Sequence, residues 1–273
     1  MKKVSLYHIL KWMFIQIKKT KINTRKTNMK KIVLSSLIAS TLLVSAHAEE
    51  AKVTPLKTHA ELGYIETNGN TSTKTFNADV TAKKSWGKHQ GKIAFDGQYS
   101  KDSGVETKNK YLVELNYNYA ITKRFAFDYL VGYKADKFSG FTYQLYTGPG
   151  AIYKVLVSKQ QNLTLEGNIL YAQDQYDDIG TVSGAKEDYA SYRVKAAYDY
   201  AFSKTVKFNQ ELTARGQLDD MPNYFAYSKS SLTAKLSDVF SAGLSYKVDY
   251  VNHPPVDKDT TDTTLTLNLI ADF

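Results

Sequence analysis

Short segments in which apolar and polar residues alternate recur along most of this chain, and they constrain its fold more than any other feature. The clearest segment is the last one, residues 265–273, where Leu265, Leu267 and Leu269 share an apolar face that ends at Phe273. A period of two is typical of a strand with one apolar face. A soluble sheet also alternates in this way, so the argument depends on how often and where the pattern repeats.

Twelve such segments follow one another, each of about ten residues or a little more, which is the length that a tilted strand needs to cross a bilayer. The predicted strands are His59–Asn68, Thr73–Trp86, Gly91–Ser100, Asn109–Ala120, Phe125–Asp136, Phe141–Val155, Asn162–Gln173, Asp188–Tyr200, Thr205–Arg215, Tyr224–Leu236, Phe240–Val251 and Asp262–Phe273. In hydrocarbon every backbone N–H and C=O must be paired, so the first and last strands must meet. We therefore predict an all-β fold, a single transmembrane antiparallel up-and-down β-barrel of about twelve strands.

The connections and the aromatic residues support a membrane barrel. Short connections such as Gly87–Gln90 alternate with others that are on average longer and more polar, such as Asp174–Glu187. Short periplasmic turns and longer extracellular loops are the arrangement of outer-membrane barrels. Tyrosines such as Tyr111 are predicted near the long loops and rings such as Trp86 and Phe125 near the short turns, as two membrane interfaces require.

The start of the chain predicts export. A basic segment at Met29–Lys31 precedes an apolar run and the small residues Ala46 and Ala48, which predict a signal peptide over 29–48 with cleavage before Glu49. Residues 1–28 are interpreted as an upstream extension or an over-long basic region of the signal. Residues 49–58 are then a periplasmic lead-in, and residues 59–273 form the barrel in the bacterial outer membrane.

The charge balance changes once the leader is removed. Residues 1–48 hold ten of the 36 basic residues and none of the 27 acidic ones, so 26 basic and 27 acidic residues remain. The basic character of the whole chain therefore gives no support for nucleic-acid binding. The absence of cysteine excludes disulfides and a lipoprotein anchor, and a mean hydropathy of −0.40 with no long apolar run after residue 48 excludes a helical membrane protein.

Two motifs carry a family resemblance. The segment Glu61–Thr71, ELGYIETNGNT, and the segment Thr147–Lys154, TGPGAIYK, resemble those of a bacterial outer-membrane family of unknown function that is often labelled salt-induced outer membrane protein. The resemblance implies an outer-membrane β-barrel, with no catalytic residues. The chain departs from the family pattern at Ile152, where a glycine is usual, so strand packing there is expected to differ.

The inward faces carry charge in two groups, and they suggest a function. An acidic wall is predicted from Asp96, Glu114, Asp128, Asp136 and Glu166, and a basic wall from Arg193, Lys195, Lys207, Arg215, Lys229 and Lys235. One hypothesis is a narrow pore for small polar or ionic solutes, linked to envelope or salt stress, with a field across its lumen. The alternative is a non-conducting structural or surface-interaction barrel whose lumen is filled by salt bridges.

Other classes of function have weaker support. The acidic loops, including Asp177 and Asp178, match no calcium-binding spacing, and we expect no metal and no cofactor. An outer-membrane lipid hydrolase would need a serine paired with a histidine, and no such pair is visible, so we expect no enzyme. About ten residues precede the first strand, too few for an exported passenger. The expected partners are outer-membrane lipids, lipopolysaccharide and, during insertion, the barrel-assembly machinery.

The last strand is predicted to act as the assembly signal, through Leu265, Leu267, Leu269 and Phe273. We expect Phe273→Ala to lower the amount of assembled barrel in the outer membrane, because an aromatic residue is lost from the interface end of the closing strand. Heat-modifiable migration on gels measures assembly, and Phe125→Ala, on an earlier strand at the same predicted interface, is the matched control. Equal yields for the two variants would contradict a signal specific to the last strand.

Overall fold

The structure is a computed structural model that describes residues 54–67, 73–178, 184–255 and 258–273. The predicted leader over 1–48, its cleavage site at Ala46, Ala48 and Glu49, and the lead-in up to residue 53 lie outside the described residues, as does the connection at 68–72.

Twelve antiparallel strands close into one barrel in which each strand pairs with its neighbours in sequence and the last pairs with the first. The strands are β1 (Lys57–Thr67), β2 (Thr73–Trp86), β3 (His89–Asp102), β4 (Val105–Ala120), β5 (Phe125–Asp136), β6 (Phe141–Val157), β7 (Gln161–Tyr176), β8 (Lys186–Ala201), β9 (Val206–Gln217), β10 (Tyr224–Lys235), β11 (Phe240–Val251) and β12 (Thr261–Asp272). The predicted fold class and strand number are confirmed. Among the described residues, no helix is long and apolar enough to cross a membrane.

The alternation within each strand places apolar residues outside and polar residues inside. On β12, Leu265, Leu267 and Leu269 have more than half of their surface exposed, whereas Thr266 between them is buried. Successive side chains of a strand point to opposite faces, so the outward faces of the strands are predominantly apolar and the inward faces predominantly polar. A closed barrel with this distribution is an outer-membrane β-barrel, and the protein is located in the bacterial outer membrane.

The seam between β1 and β12 closes the barrel. The register aligns His59 with Asp272 and Gly63 with Asn268, and beyond it Thr58 and Phe273 exchange two backbone hydrogen bonds of 2.9 and 2.8 Å. A side-chain hydrogen bond of 2.7 Å between His59 Nδ1 and Asp272 Oδ1 links the same two strands at the short-turn end. Within this register, the seam pairs the two outer edges of the sheet with each other and so closes the barrel.

Aromatic rings form contacts near both ends of the barrel. At the long-loop end, Tyr133 stacks on Tyr111 and Tyr143, with ring centroids 6.1 and 5.9 Å apart. At the short-turn end, Trp86 stacks on His89 at 5.9 Å. These pairs are consistent with the two interface belts expected from the sequence.

The connection between β3 and β4 differs from the expectation. The sequence predicted a loop at Lys101–Lys108, but both strands continue to a two-residue turn, in which Ser103 and Gly104 have φ values of 48° and 83°. Two successive positive φ values match the right-handed twist of the flanking strands, so a tight hairpin forms there. Charged residues on both sides of this turn are typical of loops, and for this reason the sequence predicted a loop where the strand ends lie.

A cluster of apolar side chains occupies one side of the interior. Leu130, Tyr146, Leu170, Ala172 and Tyr189 on β5 to β8 are all less than 8% exposed and pack together. We call these five residues the interior core. It fills part of the interior next to these four strands.

The Gly148-Pro149-Gly150 segment lies within β6, where it approaches β7 closely. A Cβ atom on Gly150 would lie 2.2 Å from Nδ2 of Asn168 and 2.4 Å from the carbonyl oxygen of Gly167. A side chain at position 150 would therefore push against β7 itself. Glycine allows Asn168 to reach across and donate a 2.7 Å hydrogen bond to Asp128.

We expect Gly150→Ala to lower the free energy of unfolding by about 1–3 kcal/mol, the usual cost of overpacking. The matched control is Gly167→Ala on β7, because a Cβ atom there would have no heavy atom within 4 Å. Urea unfolding of both variants in detergent micelles measures the difference. A Gly150→Ala barrel as stable as the control would show that the close approach to β7 is not required.

Candidate functional site: the charged lumen

The space left beside the interior core is a cavity of about 270 Å³ inside the barrel. Ten of the twelve strands contribute to its lining, all except β7 and β12. Its charged lining residues are Glu61, Asp79, Lys92, Asp96, Lys110, Glu114, Lys134, Arg193, Lys195, Glu211, Arg215, Lys229 and Asp249. A volume of this size could hold on the order of ten water molecules, next to a lining that includes thirteen charged side chains.

Ion pairs cross this lumen between strands that are three to five positions apart around the barrel. The contacts are Arg193–Glu114 at 3.5 Å, Lys247–Asp79 at 3.0 Å, Lys247–Asp96, Lys229–Glu61 at 3.1 Å, Lys229–Asp79 at 3.4 Å and Lys110–Asp249 at 2.5 Å. We call these contacts the cross-lumen network. Since the paired residues lie on strands that are not neighbours in the sheet, each contact connects separate parts of the wall and narrows the space between them.

Lys247 is the most buried member of the cross-lumen network, with 2% of its surface exposed. Its Nζ donates to Asp79 and Asp96, two carboxylates that also face each other across the β2–β3 register. Without a cation between them, these carboxylates would repel each other in a space with little solvent. Lys247 therefore links β11 to β2 and β3 by ion pairs.

Asp128 shows a second way of stabilising a buried charge. It is fully buried, and its two oxygens accept hydrogen bonds from the amides of Asn116, Asn118 and Asn168 at 3.2, 2.8 and 2.7 Å. These three donors satisfy the carboxylate without an ion pair to a lysine or arginine. Asp128 is thus a structural element beside the interior core and contributes no free charge to the cavity.

The structure brings members of the two predicted walls into contact. Glu114 and Glu166 of the acidic wall lie on either side of Arg193 of the basic wall, at 3.5 and 3.3 Å. Asp96 instead contacts Lys247, and Asp136 accepts a hydrogen bond from the backbone N–H of Phe138 at its strand end. The predicted acidic wall is therefore largely engaged in ion pairs and hydrogen bonds, some of which cross the lumen.

The basic wall is distributed between the lumen and the short-turn rim. Lys195 pairs with Glu211 at 2.6 Å, and Lys229 joins the cross-lumen network. Arg215 lies 3.8 Å from Asp174 and also stacks on rings of the interior. The remaining two members do not line the cavity: Lys207 is exposed at the start of β9, and Lys235 is exposed and pairs with Asp238 of the adjoining turn.

Sequence reasoning missed several residues that line or join the lumen. Glu61, Asp79, Lys110, Lys247 and Asp249 all belong to the cross-lumen network but to neither predicted wall. The signal was present, because each alternates with an outward apolar neighbour, as Lys110 does with Tyr111. Their partners could not be predicted, since those depend on which strands face each other after closure.

The ring nitrogens of His59 and His89 form hydrogen bonds with side chains other than serine. His59 contacts Asp272 and Glu61, at 2.7 and 2.9 Å, and His89 contacts the hydroxyl of Tyr117 at 2.7 Å. Within the described ranges, no group of three acidic, histidine or cysteine side chains is arranged to hold a metal ion.

We expect Lys247→Met to destabilise the barrel by about 3 kcal/mol, because it removes the cation that pairs with Asp96 and one of the two that pair with Asp79. Adding Asp96→Asn should restore part of the loss, since the carboxylate left without a cation is then neutral. Lys204→Met, in an exposed turn, is the control for loss of a lysine. Urea midpoints of the four proteins measure the effect, and a single variant as stable as the control would show that Lys247 is dispensable.

Comparison with solved structures finds outer-membrane proteins at low similarity. The NanC porin matches with a TM-score of 0.47 and 10% identity over 80% of this chain and 99% of that chain. The COG4313 outer membrane channel from Pseudomonas putida F1 gives 0.48 and 11%, over 84% and 97%, and the KdgM porin gives 0.41 and 10%, over 80% and 99%. These values are too low for any property of those proteins to be assigned to this chain.

Comparison with curated proteins gives no match. A family model described as "Protein of unknown function, DUF481" matches residues 60–273, which span the barrel from the fourth residue of β1 to Phe273. The expected membership of a family of unknown function is confirmed. The chain belongs to the DUF481 family.

Proposed function

We propose that this barrel is a narrow channel that lets small polar or ionic solutes cross the outer membrane. The observation that carries the proposal is the 270 Å³ cavity inside the barrel, lined by ionisable side chains from strands around most of its circumference. Charged side chains that face a hydrated space can replace part of the hydration shell of a passing solute. The cross-lumen network then forms the narrowest part of the passage.

A second candidate is a non-conducting barrel with a structural or surface-interaction role. The ion pair between Lys110 and Asp249 favours it, because a 2.5 Å contact between β4 and β11 crosses the lumen. The interior core fills part of the remaining section. Small barrels are often filled by side chains in this way.

The proposal also includes the steps that bring the protein to the membrane. Export through a signal peptide over 29–48, insertion by the barrel-assembly machinery and contact with lipopolysaccharide are hypotheses from the sequence. The link to envelope or salt stress is a hypothesis from the family resemblance. No enzymatic role is proposed, since the hydrogen bonds of the His59 and His89 rings go to carboxylates and a tyrosine hydroxyl.

Single-channel recording in a planar bilayer tests the proposal. We expect the purified, folded protein to give steps of defined conductance in KCl. The double variant Lys110→Ala/Asp249→Ala should give larger steps, because it removes one contact across the lumen. Ile169→Ala, on the lipid-facing side of β7 with 59% of its surface exposed, is the control and should leave the step size unchanged.

Two results would contradict the channel. A folded wild-type barrel that stays silent would favour the filled, non-conducting barrel. Equal step sizes for the wild type and the double variant would show that current does not pass through this lumen.

A further inference from the structure

The carboxylates that line the cavity are all engaged in ion pairs. Six carboxylates line it, and each lies within 4.0 Å of a lysine or arginine nitrogen of the barrel. These residues are Glu61, Asp79, Asp96, Glu114, Glu211 and Asp249. A cation entering the lumen therefore meets no carboxylate without a partner among them.

Among the described residues, some of the lysines and arginines that line the cavity have no ion-pair partner. Seven lysines and arginines line it, and five of them lie within 4.0 Å of a carboxylate. Lys92 on β3 and Lys134 on β5 are the other two, and the side-chain ammonium group of neither has a hydrogen bond or ion pair within the described part of the chain. The lining thus carries two ammonium groups without a direct ion-pair partner, whereas each of its carboxylates has one.

The carboxylates nearest to these two lysines already have other partners. The charges that act on Lys92 are those of Lys195, Glu211, Glu114 and Glu166, and the three glutamates pair with Lys195 or Arg193. Lys134 acts on Asp249, which pairs with Lys110 at 2.5 Å. An incoming anion would meet Lys92 and Lys134 without displacing a formed ion pair.

Lys92 and Lys134 lie at different heights on the same part of the wall. The register aligns Lys134 with Leu112 of β4 and Leu112 with Asp96 of β3. Lys92 is four residues from Asp96, toward the short-turn end, which corresponds to about 13 Å along the strand. One small anion cannot contact both lysines, but it can pass from one to the other.

We propose that Lys92 and Lys134 form two successive binding positions for small anions, such as those that carry a phosphate or carboxylate group, and that the channel prefers anions. The preference in flux rests on the proposed channel function, whereas the binding does not. In a narrow lumen with low-dielectric walls, a fixed charge without a partner acts on passing ions more strongly than it would in water. The wall that the sequence predicted to be acidic therefore attracts negative solutes.

The reversal potential of the current in a KCl gradient tests the preference. We expect the wild-type channel to favour Cl⁻ over K⁺, and each of Lys92→Gln and Lys134→Gln to lower the permeability ratio by about three- to tenfold. Lys88→Gln and Lys204→Gln remove exposed lysines from two short turns and serve as controls. Neither Lys92 nor Lys134 has an ion pair to lose, so both variants should fold, which heat-modifiable migration verifies.

Isothermal titration calorimetry measures binding of inorganic phosphate to the detergent-folded barrel and does not depend on a current. We expect binding by the wild type and by the two controls, and loss of binding in Lys92→Gln/Lys134→Gln. If the barrel conducts, the reversal potential is the deciding measurement. The same selectivity with and without the two lysines would overturn the proposed anion positions and leave the proposed channel function intact. Where no current flows, phosphate binding that depends on the lysines supports the positions and overturns the channel, and absence of binding overturns both.

Discussion

Backbone hydrogen bonding in hydrocarbon is the constraint on which the rest of this structure depends. A sheet in a bilayer cannot leave an edge unpaired, so β12 must return to β1 and the barrel must close. Closure turns the alternation of each strand into an apolar outside and a polar inside. The same two-residue period therefore determines both the membrane-facing surface and the chemistry of the lumen.

A closed polar interior brings charged side chains together where there is little water. Their charges need partners, and the chain supplies them in two ways: cations reach across the lumen, as Lys247 does, and amides surround a carboxylate, as at Asp128. The wall is thereby neutralised in most places. Within the described part of the chain, Lys92 and Lys134 are the lining cations that remain without a direct ion-pair partner.

The strands and their faces could be predicted because alternation is a local property of the sequence. The contacts of Lys247 or Arg193 could not, since a lysine or arginine reaches across the lumen only to strands that closure brings opposite. The tight turn at Ser103 and Gly104 was missed for a different reason: the charged residues around it are typical of a loop, and only the backbone conformation reveals a hairpin. The local sequence pattern thus predicts the strands that form the wall, and the closed geometry determines which ion pairs reach across the lumen.

The position of the interior core gives two sides of the barrel different support. Around β5 to β8 the wall is backed by five packed apolar side chains together with buried polar groups such as Asp128 and Arg193, and close packing resists compression. Between β11 and the strands β2 and β4, the contacts across the interior are ion pairs made by long side chains, as at Lys247 and Lys110. Changes in the width of the lumen would therefore begin on that side, where rotation of a lysine side chain is enough and no core has to repack.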